Sequence, residues 1–503
     1  MHHLRALPLF VLLMAISAAA MFVPAAHALA LGDYPVARAF GYSGVLFGIL
    51  TALLALSTAA NRPGNLSRDH LLTMVATFTV LPLMLAVPFV QAVPGTGYFK
   101  AWWEMVSSLT TTGATLFAPR SLAPSLHLWR ALVGWMGGYF ILVMAIAVLA
   151  PMRLGGFEVF FAGATGEGGS AASADRIADP RARILRAAQV LAPAWFGLTL
   201  VLWVALLVAG DPPLLALIHA MSTLATSGIT PLGSFAEAPS GLAGEVLIFA
   251  FLLLALSRRL WPGAGELRAS ARLRDDPELR LAAVLVLGVA LLLFLRHWLV
   301  TLDIAFLSES GRLARALWGA VFTALSFLTT TGFESSGWLS ARVWSGLDAP
   351  GLLLAGLAIF GGGVATTAGG VKLLRVYALL RHGERELDRL VHPSSIGGGG
   401  IAARRLRREG AYIAWVFFML FAISIAVTML AVSLAGLGFE PATLLSIAAL
   451  SNAGPLAVIS GQGNDVWAQL APSAKAVLAA AMVLGRLETL ALIALFNPEF
   501  WRR

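Results

Sequence analysis

The chain has 503 residues, of which 58% are hydrophobic and 12% are charged, and its mean hydropathy is +0.82. Soluble domains have about 25% charged residues, so this composition excludes a cytosolic enzyme, a disordered chain and a secreted disulfide scaffold. The absence of cysteine from the sequence excludes disulfides, thiol catalysis and iron–sulfur clusters. The net charge of +9 indicates basic cytoplasmic loops of a membrane protein rather than nucleic-acid binding.

Ten apolar segments are long enough to predict membrane-spanning helices, since a bilayer core needs about 20 apolar residues. They are residues 7–29, 36–60, 71–93, 128–151, 185–209, 242–260, 281–302, 352–380, 412–435 and 476–496. A cleavable signal peptide is the alternative for the first segment, because Arg5 precedes it and Ala26-His27-Ala28 lies near its end. Its apolar run is long for a signal peptide. Most Lys and Arg residues fall in loops on one side, which predicts both termini in the cytoplasm.

A shorter apolar stretch follows the third, fifth, seventh and ninth predicted spans. These stretches are residues 98–109, 213–224, 312–328 and 441–450. Each is too short to cross a bilayer, and each leads into a tail that is rich in Thr, Ser or Gly. We therefore predict four re-entrant half-helices followed by irregular backbone, which membranes tolerate only where protein buries it or where it lines a cavity.

The four tails align on a glycine, at Gly113, Gly228, Gly332 and Gly454. Each interval between these glycines contains two spans and one half-helix, so one unit occurs four times after an initial helix pair. The predicted fold is an all-α polytopic membrane protein with four pseudo-symmetric helix–pore-loop–helix repeats around one pore. The predicted divisions are 1–66 for the N-terminal helix pair and 67–155, 156–265, 266–408 and 409–503 for the repeats, the third with a basic cytoplasmic linker.

The tails carry the residue types of a cation filter. Glycine allows successive carbonyls to turn toward one axis, and four such loops with Thr and Ser hydroxyls would replace the water shell of a cation. No carboxylate precedes the glycine in any tail, which favours a monovalent ion over Ca²⁺ or Mg²⁺. Ordinary packing of small residues between helices is the alternative. The predicted filter residues are Thr111, Thr112, Gly113, Thr226, Ser227, Gly228, Thr330, Thr331, Gly332, Asn452, Ala453 and Gly454.

With Ser-Leu-Thr-Thr-Thr-Gly-Ala-Thr at 108–115 and Thr-Thr-Thr-Gly-Phe at 329–333, the repeat resembles the Trk/Ktr/HKT superfamily of cation transporters, and most of all TrkH-type bacterial potassium uptake subunits. Further similarity lies in residues 134–138, 390–393, 485–488 and 496–501. The resemblance implies K⁺ as the ion, no cofactor, the bacterial inner membrane, a homodimer and a TrkA-type cytosolic nucleotide-binding regulatory protein. The chain itself has no Walker motif and no GxGxxG after a strand, so nucleotide binding is expected on that partner.

Two tails depart from the superfamily pattern. The second has Ala225 and Ser227 where more hydroxyls are expected, and the fourth, residues 451–455, diverges most from the first. In the superfamily a Ser in the first tail accompanies Na⁺ permeability, so Gly113 favours K⁺.

Other functions stay open at this point. A Na⁺-permeable cation transporter is one alternative, and a secondary transporter of another solute is a second, although parallel repeats disfavour it. Channel-like flux and coupling to H⁺ or Na⁺ are not distinguished. An intramembrane enzyme is disfavoured by the lack of paired Asp, a His cluster or a Ser–His arrangement at membrane depth, and the nine His residues show no metal-ligand spacing.

A glycine-rich stretch interrupts the eighth predicted span. Each glycine in a helix interior costs about 1 kcal/mol relative to Ala, so we predict an intramembrane loop, which the resemblance identifies as a gate; close helix packing is the alternative. Arg486 lies within the tenth span, where a charge faces protein or water; we predict that it faces the pore, with pairing to Glu488 as the alternative. The predicted gate residues are Gly361, Gly362, Gly363, Thr366, Thr367, Gly369, Gly370, Lys372 and Arg486.

Two motifs on the cytoplasmic side complete the sequence interpretation. Residues 397–400 are all glycine, and a basic cluster follows at 404–408. This linker either fixes topology through its positive charge or also docks the regulatory partner.

Overall fold

The computed structural model describes residues 8–58, 66–152, 155–157, 159, 180–261, 273–300, 310–346, 350–392, 408–463 and 465–487. The sequence motifs at 393, 397–400, 404–407, 488 and 496–501 lie outside the described residues. Where the chain is described it is helical, which confirms the all-α polytopic fold.

The first two predicted spans form a helical hairpin. Leu9–Ala20 and Phe22–Ala30 run together as one span of 22 residues, and Tyr34–Thr58 is the second. The helices approach closely at Gly44, where a Cβ would lie 3.1 Å from the Phe22 ring. Many apolar side chains of this hairpin are exposed, as expected of a surface that faces lipid.

Seven helices among the described residues are long and apolar enough to cross a membrane. After the hairpin they comprise Leu66–Thr79 with Leu81–Ala92, then Pro124–Met144 with the π-helical Ala145–Leu149, Pro180–Val208, Pro277–Val300 and Arg408–Leu434. Several begin with a proline, whose missing N–H has no helical partner at that position in any case. These seven helices correspond to seven of the ten predicted spans.

The sixth predicted span, 242–260, is shorter in the structure. Its α-helix is Gly241–Leu252, and a 3₁₀ turn ends it at Ala255. The N–H of Gly363 donates to the carbonyl oxygen of Ala255 at 2.9 Å. The helix is therefore shorter than the predicted span, and the glycine-rich stretch contacts its end.

The eighth and tenth predicted spans also differ from simple helices. The eighth is broken into Pro350–Phe360 and Leu373–Val391, which confirms the predicted interruption. An unpredicted helix, Trp338–Ser345, precedes it at an angle of 119°. The tenth is Pro472–Leu487, after a short helix at Val466–Gln469, and the remainder of 476–496 lies outside the described residues.

Four half-helices lie between the spans, within two residues of their predicted limits. They are Tyr98–Leu109, Pro213–Ala225, Ser310–Leu328 and Phe439–Leu450. Their side chains form much of the buried core. Trp103, for example, is fully buried and its indole N–H donates to the Lys475 carbonyl at 2.9 Å. The C-terminal ends of the four half-helices thus lie within the buried core.

Candidate functional site

All four half-helices end in the same hydrogen-bonded turn. In the first, the N–H of Thr111 donates to the carbonyl oxygen of Ser108 at 2.9 Å, and the N–H of Thr112 donates to Ser107 at 2.9 Å. This pair of bonds defines a Schellman motif, which satisfies carbonyls that a helix C-terminus otherwise leaves free.

The other three half-helices repeat both bonds at the same register from the aligned glycine. In every case a backbone N–H donates to a backbone carbonyl oxygen. In the second repeat the bonds are Thr226 to Thr223 (3.2 Å) and Ser227 to Ser222 (2.9 Å). In the third they are Thr330 to Phe327 (3.1 Å) and Thr331 to Ser326 (2.9 Å), and in the fourth Asn452 to Ala449 (3.2 Å) and Ala453 to Ala448 (2.8 Å). The fourth tail therefore has the same backbone conformation as the other three, although its sequence diverges.

The left-handed residue of each motif is not the usual glycine. Thr111, Thr226, Thr330 and Asn452 have φ of 56°, 51°, 57° and 54°. A β-branched residue rarely adopts this conformation. Such strain costs about 1–3 kcal/mol per residue and clusters at functional sites. Sequence reasoning missed this feature, because Thr gives no local signal for a positive φ.

The four tails form a closed ring. We call them the ring loops: loop one is 110–114, loop two 225–229, loop three 329–333 and loop four 451–455. Each aligned glycine packs against the next loop so closely that a Cβ would overlap it. These overlaps are Gly113 with the Ser227 oxygen, Gly228 with the Thr331 oxygen, Gly332 with the Pro455 ring, and Gly454 with the backbone of Thr112 and Ala114. These overlaps follow the order one–two–three–four–one and so close the ring, and a Cβ on Gly228 would also meet the Pro455 ring.

Hydroxyl groups join the ring loops to their helices and to one another. The Oγ1 atoms of Thr110 and Thr112 are 2.9 Å apart, and those of Thr329 and Thr331 are 3.1 Å apart. In loop four, Asn452 Nδ2 donates to Thr112 Oγ1 at 3.0 Å. Several hydroxyls of the ring loops are thus engaged in hydrogen bonds within the protein.

Two groups near the ring carry further polar atoms. Thr111 Oγ1 is buried and has no hydrogen-bond partner among the residues that the structure describes. Glu334, just after loop three, accepts a hydrogen bond from Ser234 Oγ at 3.3 Å. Burial raises the pKa of the Glu334 carboxyl, while that hydrogen bond and the charge of Arg342 act in the opposite direction.

The glycine-rich loop, residues 361–372, connects the two helices of the broken eighth span. Its first and last residues lie side by side, and we call this narrow base the neck. The N–H groups of Val371 and Lys372 donate to the carbonyls of Ile359 and Phe360, each at 2.9 Å. Gly361 has a φ of 71° and its α-carbon lies against Gly370, so a Cβ on either residue would meet the other's backbone. Gly361 and Gly370 must therefore be glycine, because the two backbone segments of the neck leave no room for a side chain.

The glycine-rich loop contacts the ring directly. The N–H of Gly369 donates to Thr330 Oγ1 at 2.7 Å, and Thr367 Oγ1 donates to the Leu224 carbonyl at 3.0 Å. Leu224 lies in the last turn of the second half-helix. The glycine-rich loop thus contacts loop three and the end of the second half-helix, and a Cβ on Gly369 would overlap the Ser451 carbonyl oxygen of loop four.

A second set of contacts anchors the other side of the glycine-rich loop. Besides the bond from Gly363 to Ala255, the N–H of Val364 donates to Glu278 Oε1 at 2.8 Å. Glu278 is fully buried at the start of the helix Pro277–Val300. Sequence reasoning missed this anchor, although a carboxylate at the edge of an apolar span was a usable signal.

Two basic side chains lie beside the glycine-rich loop. Arg486 Nη1 donates to the Thr367 carbonyl at 2.7 Å, and Lys372 Nζ donates to the Ala368 carbonyl. Arg486 and Lys372 are only 4% and 7% exposed. The alternative partner of Arg486, Glu488, lies outside the described residues.

A small cavity separates these groups. Its lining includes Ile141, Thr366, Gly369, Lys372, Gly485 and Arg486, and its volume is about 20 Å³. A cavity of that size holds about one water molecule. Lys372 and Arg486 thus place two basic side chains in the wall of this cavity.

Comparison with known proteins gives a consistent result. Residues 38–503 match the TrkH family, described as cation transport protein. The chain is 32% identical to the Trk system potassium uptake protein TrkH of Escherichia coli (strain K12) over 510 residues, 99% of this chain and 100% of that protein. It is 33% identical to TrkH of Salmonella typhimurium over 446 residues, 87% and 86% of the two chains. The crystal structure of the potassium transporter TrkH from Vibrio parahaemolyticus matches with a TM-score of 0.78 at 28% identity, over 100% of both chains.

Proposed function

The chain belongs to the TrkH family of cation transport proteins, and on that premise we propose that it takes up K⁺ across the bacterial inner membrane through the four-loop ring. Members of this family are transporters rather than enzymes, and they need no cofactor. K⁺ is the transported ion. The proposal rests on one observation above all, the closed ring in which each aligned glycine packs against the next loop.

The ring offers neutral oxygens, as a monovalent cation requires. The backbone carbonyls at positions 111–113 and their equivalents would replace the hydration shell of K⁺. The C-terminal ends of four half-helices meet at the ring, and their partial negative charges favour a cation without a carboxylate. We propose as filter residues the twelve predicted from the sequence, three from each ring loop.

We propose that the glycine-rich loop with Lys372 and Arg486 is the gate. In support, the loop contacts Thr330 in the ring and Leu224 at the end of the second half-helix. A cation that leaves the ring on this side meets two positive side chains and a cavity of about 20 Å³. Movement of the loop would both widen this space and displace Arg486 from the Thr367 carbonyl.

The proposed regulation and assembly rest on the resemblance to the family. We propose a homodimer, both termini in the cytoplasm, and a TrkA-type nucleotide-binding protein as the partner. The helix Leu373–Val391 continues directly from the glycine-rich loop, so a partner that displaces this helix would move the loop. The basic linker at 404–408 would then aid docking.

Flux of ⁸⁶Rb⁺ into proteoliposomes tests the proposed function, with Na⁺ and pH gradients varied independently. We expect Rb⁺ uptake that external K⁺ inhibits and that equimolar Na⁺ inhibits weakly. Equal inhibition by Na⁺ would instead establish the Na⁺-permeable alternative. Absence of cation uptake from a folded, reconstituted protein would overturn the proposal in favour of another solute.

A further inference from the structure

One half-helix position is fully buried in all four repeats although its residue type changes. It lies nine residues before the aligned glycine. The residues are Glu104, His219, Thr323 and Leu445, each 0% exposed. Acidic, aromatic, hydroxyl and apolar side chains therefore occupy one structural position. The choice of residue type corresponds to the backbone group found three residues after each glycine, where the chain leaves the ring.

In the first repeat, Glu104 joins the chain entering the ring to the chain leaving it. Glu104 Oε2 accepts the N–H of Leu116, three residues after Gly113, at 2.9 Å. Its other oxygen, Oε1, lies 2.6 Å from Nε of Arg130, which is 3% exposed. A buried ion pair thus fixes the acceptor, and a hydrogen bond to a charged group is stronger than a neutral one.

The third repeat uses the same register with a weaker acceptor. Thr323 Oγ1 accepts the N–H of Ser335, three residues after Gly332, at 3.4 Å. A neighbouring carboxylate supplements this contact. Ser335 Oγ and the Ser336 N–H donate to the two oxygens of Glu245, at 2.6 and 2.7 Å.

The second and fourth repeats lack this acceptor, and each has a backbone reason. The residue three after Gly228 is Pro231, which has no N–H; His219 Nε2 pairs with Thr230 Oγ1 at 3.0 Å instead. In the fourth repeat, the N–H of Ala457 donates to the Gly454 carbonyl at 3.3 Å, and the half-helix residue is Leu445. An acceptor side chain therefore occurs at this half-helix position only in the two repeats where the N–H three residues after the glycine has no other acceptor among the described residues.

We infer that Glu104, held by Arg130, is a positioning residue that sets the ion selectivity of loop one, and that Thr323 does the same more weakly for loop three. The inference rests on the proposed function of the ring as a filter. The strained φ of Thr111 persists only while its surroundings determine it. Loss of the acceptor leaves a buried N–H unsatisfied, so loop one relaxes and its carbonyls no longer hold the spacing that distinguishes K⁺ from Na⁺.

The test measures the ratio of Rb⁺ to Na⁺ flux in proteoliposomes. The double variant Glu104→Leu, Arg130→Leu removes the acceptor without leaving an unpaired charge, and it copies the residue of the fourth repeat. We expect the ratio to fall roughly fivefold, since only part of the free energy of one charge-assisted hydrogen bond acts on the spacing of the carbonyls. The conservative double variant Glu104→Gln, Arg130→Gln retains an amide acceptor, so it should keep more of the ratio than the Leu pair.

Two further variants make the result specific. Leu445→Met exchanges one apolar residue for another at the same position, and it should keep the wild-type ratio. Replacement of Leu116 by its α-hydroxy acid removes the N–H while every side chain stays, and it should lower the ratio like the Leu pair. This second variant decides the matter if the Leu pair does not fold.

The outcomes separate this inference from the proposed function. A folded Leu pair, or an α-hydroxy variant, with the wild-type ratio would overturn the positioning inference alone. Equal loss of both fluxes at an unchanged ratio would show a merely structural position and would also overturn it. A wild-type protein with no preference for Rb⁺ over Na⁺ would overturn the proposed filter itself.

Discussion

The ring loops and the glycine-rich loop are both irregular backbone inside an apolar protein, yet they are held in different ways. Each ring loop is bonded to its own half-helix by two hydrogen bonds of a Schellman motif, and this arrangement occurs four times. The glycine-rich loop has bonds of its own at the neck, but its other hydrogen bonds include ones to Ala255, Glu278, Leu224, Thr330 and Arg486 on other segments. The ring is self-supported, whereas the glycine-rich loop depends on its neighbours.

This difference suits the two proposed roles. A filter must keep its oxygens at fixed spacing while ions pass, and local bonds provide that. A gate must have a second arrangement of similar free energy, and contacts made to separate segments can be lost without unfolding the loop's own helices. The comparison therefore predicts that changes in the ring alter selectivity, and that changes in the glycine-rich loop alter the rate of flux.

The largest expected effect comes from Gly113→Ser. Gly113 has a φ of 72° and its Cβ would overlap the Ser227 carbonyl oxygen, so loop one must shift away from loop two. We expect the Rb⁺ to Na⁺ flux ratio to fall roughly tenfold, since strain of about 1–3 kcal/mol acts at the ligands themselves. Reconstituted flux measured with each ion separately gives the ratio.

Gly197→Ser is the matched control, because nothing lies within 4 Å of a Cβ there. It should leave the flux ratio unchanged. An unaltered ratio in a correctly assembled Gly113→Ser protein would contradict the assignment of loop one to the filter.

The second prediction concerns the length of the glycine-rich loop. Deletion of residues 364–367 retains the glycines of the neck but removes the contacts to Glu278, Leu224 and Arg486. We expect basal Rb⁺ flux to rise roughly fivefold, with the ion ratio retained, because about three hydrogen bonds that hold the loop closed are lost. Flux at the wild-type level in a protein that folds would show that the loop is not a gate.

The sequence predicted the features that depend on local, repeated signals, but not those that depend on contacts between distant residues. The ring loops and half-helices were predictable because their signals are local and repeated. Pro213 and the apolar run after it, for instance, mark a helix of the observed length. The early end of the helix that begins at Gly241 was not predictable from the local sequence, since the group bonded to its last carbonyl is Gly363, more than a hundred residues away.

The finer geometry of the site shows the same limit. The glycine clusters predicted a break in the eighth span, but not which groups hold the loop in place. Sequence alone also failed to show that Thr111 is left-handed, since Thr rarely has a positive φ and only the Schellman bonds reveal it. Long-range hydrogen bonds and backbone strain are the features that the residue pattern does not encode locally.

The third prediction is Arg486→Gln, which removes a charge but keeps a hydrogen-bonding group of similar length. Two unit charges 4 Å apart interact by about 4 kcal/mol at an effective dielectric constant of 20. Because the glycine-rich loop still closes the space, we expect only part of this barrier to be relieved and Rb⁺ flux to rise about threefold. The flux ratio should change little, since the ring is intact.

Glu488→Gln distinguishes the two interpretations of Arg486. If Arg486 faces the pore, the neutral glutamine at 488 should lower flux, opposite to the effect of Arg486→Gln. Similar losses in both variants would instead indicate a structural ion pair between these two residues.

The smallest expected effect is that of Thr367→Val, which preserves shape and removes the hydroxyl that donates to the Leu224 carbonyl at 3.0 Å. One hydrogen bond contributes about 0.5–1.5 kcal/mol net, and other contacts still hold the loop, so we expect basal flux to rise about twofold. Ser424→Ala is the control, because Ser424 Oγ bonds only within its own helix, to Leu420 at 2.8 Å. A change in the Rb⁺ to Na⁺ ratio, rather than in the rate, would mean that the contact between the glycine-rich loop and the second half-helix also shapes the filter. The separation between a self-supported ring and a dependent gate would then not hold at loop two.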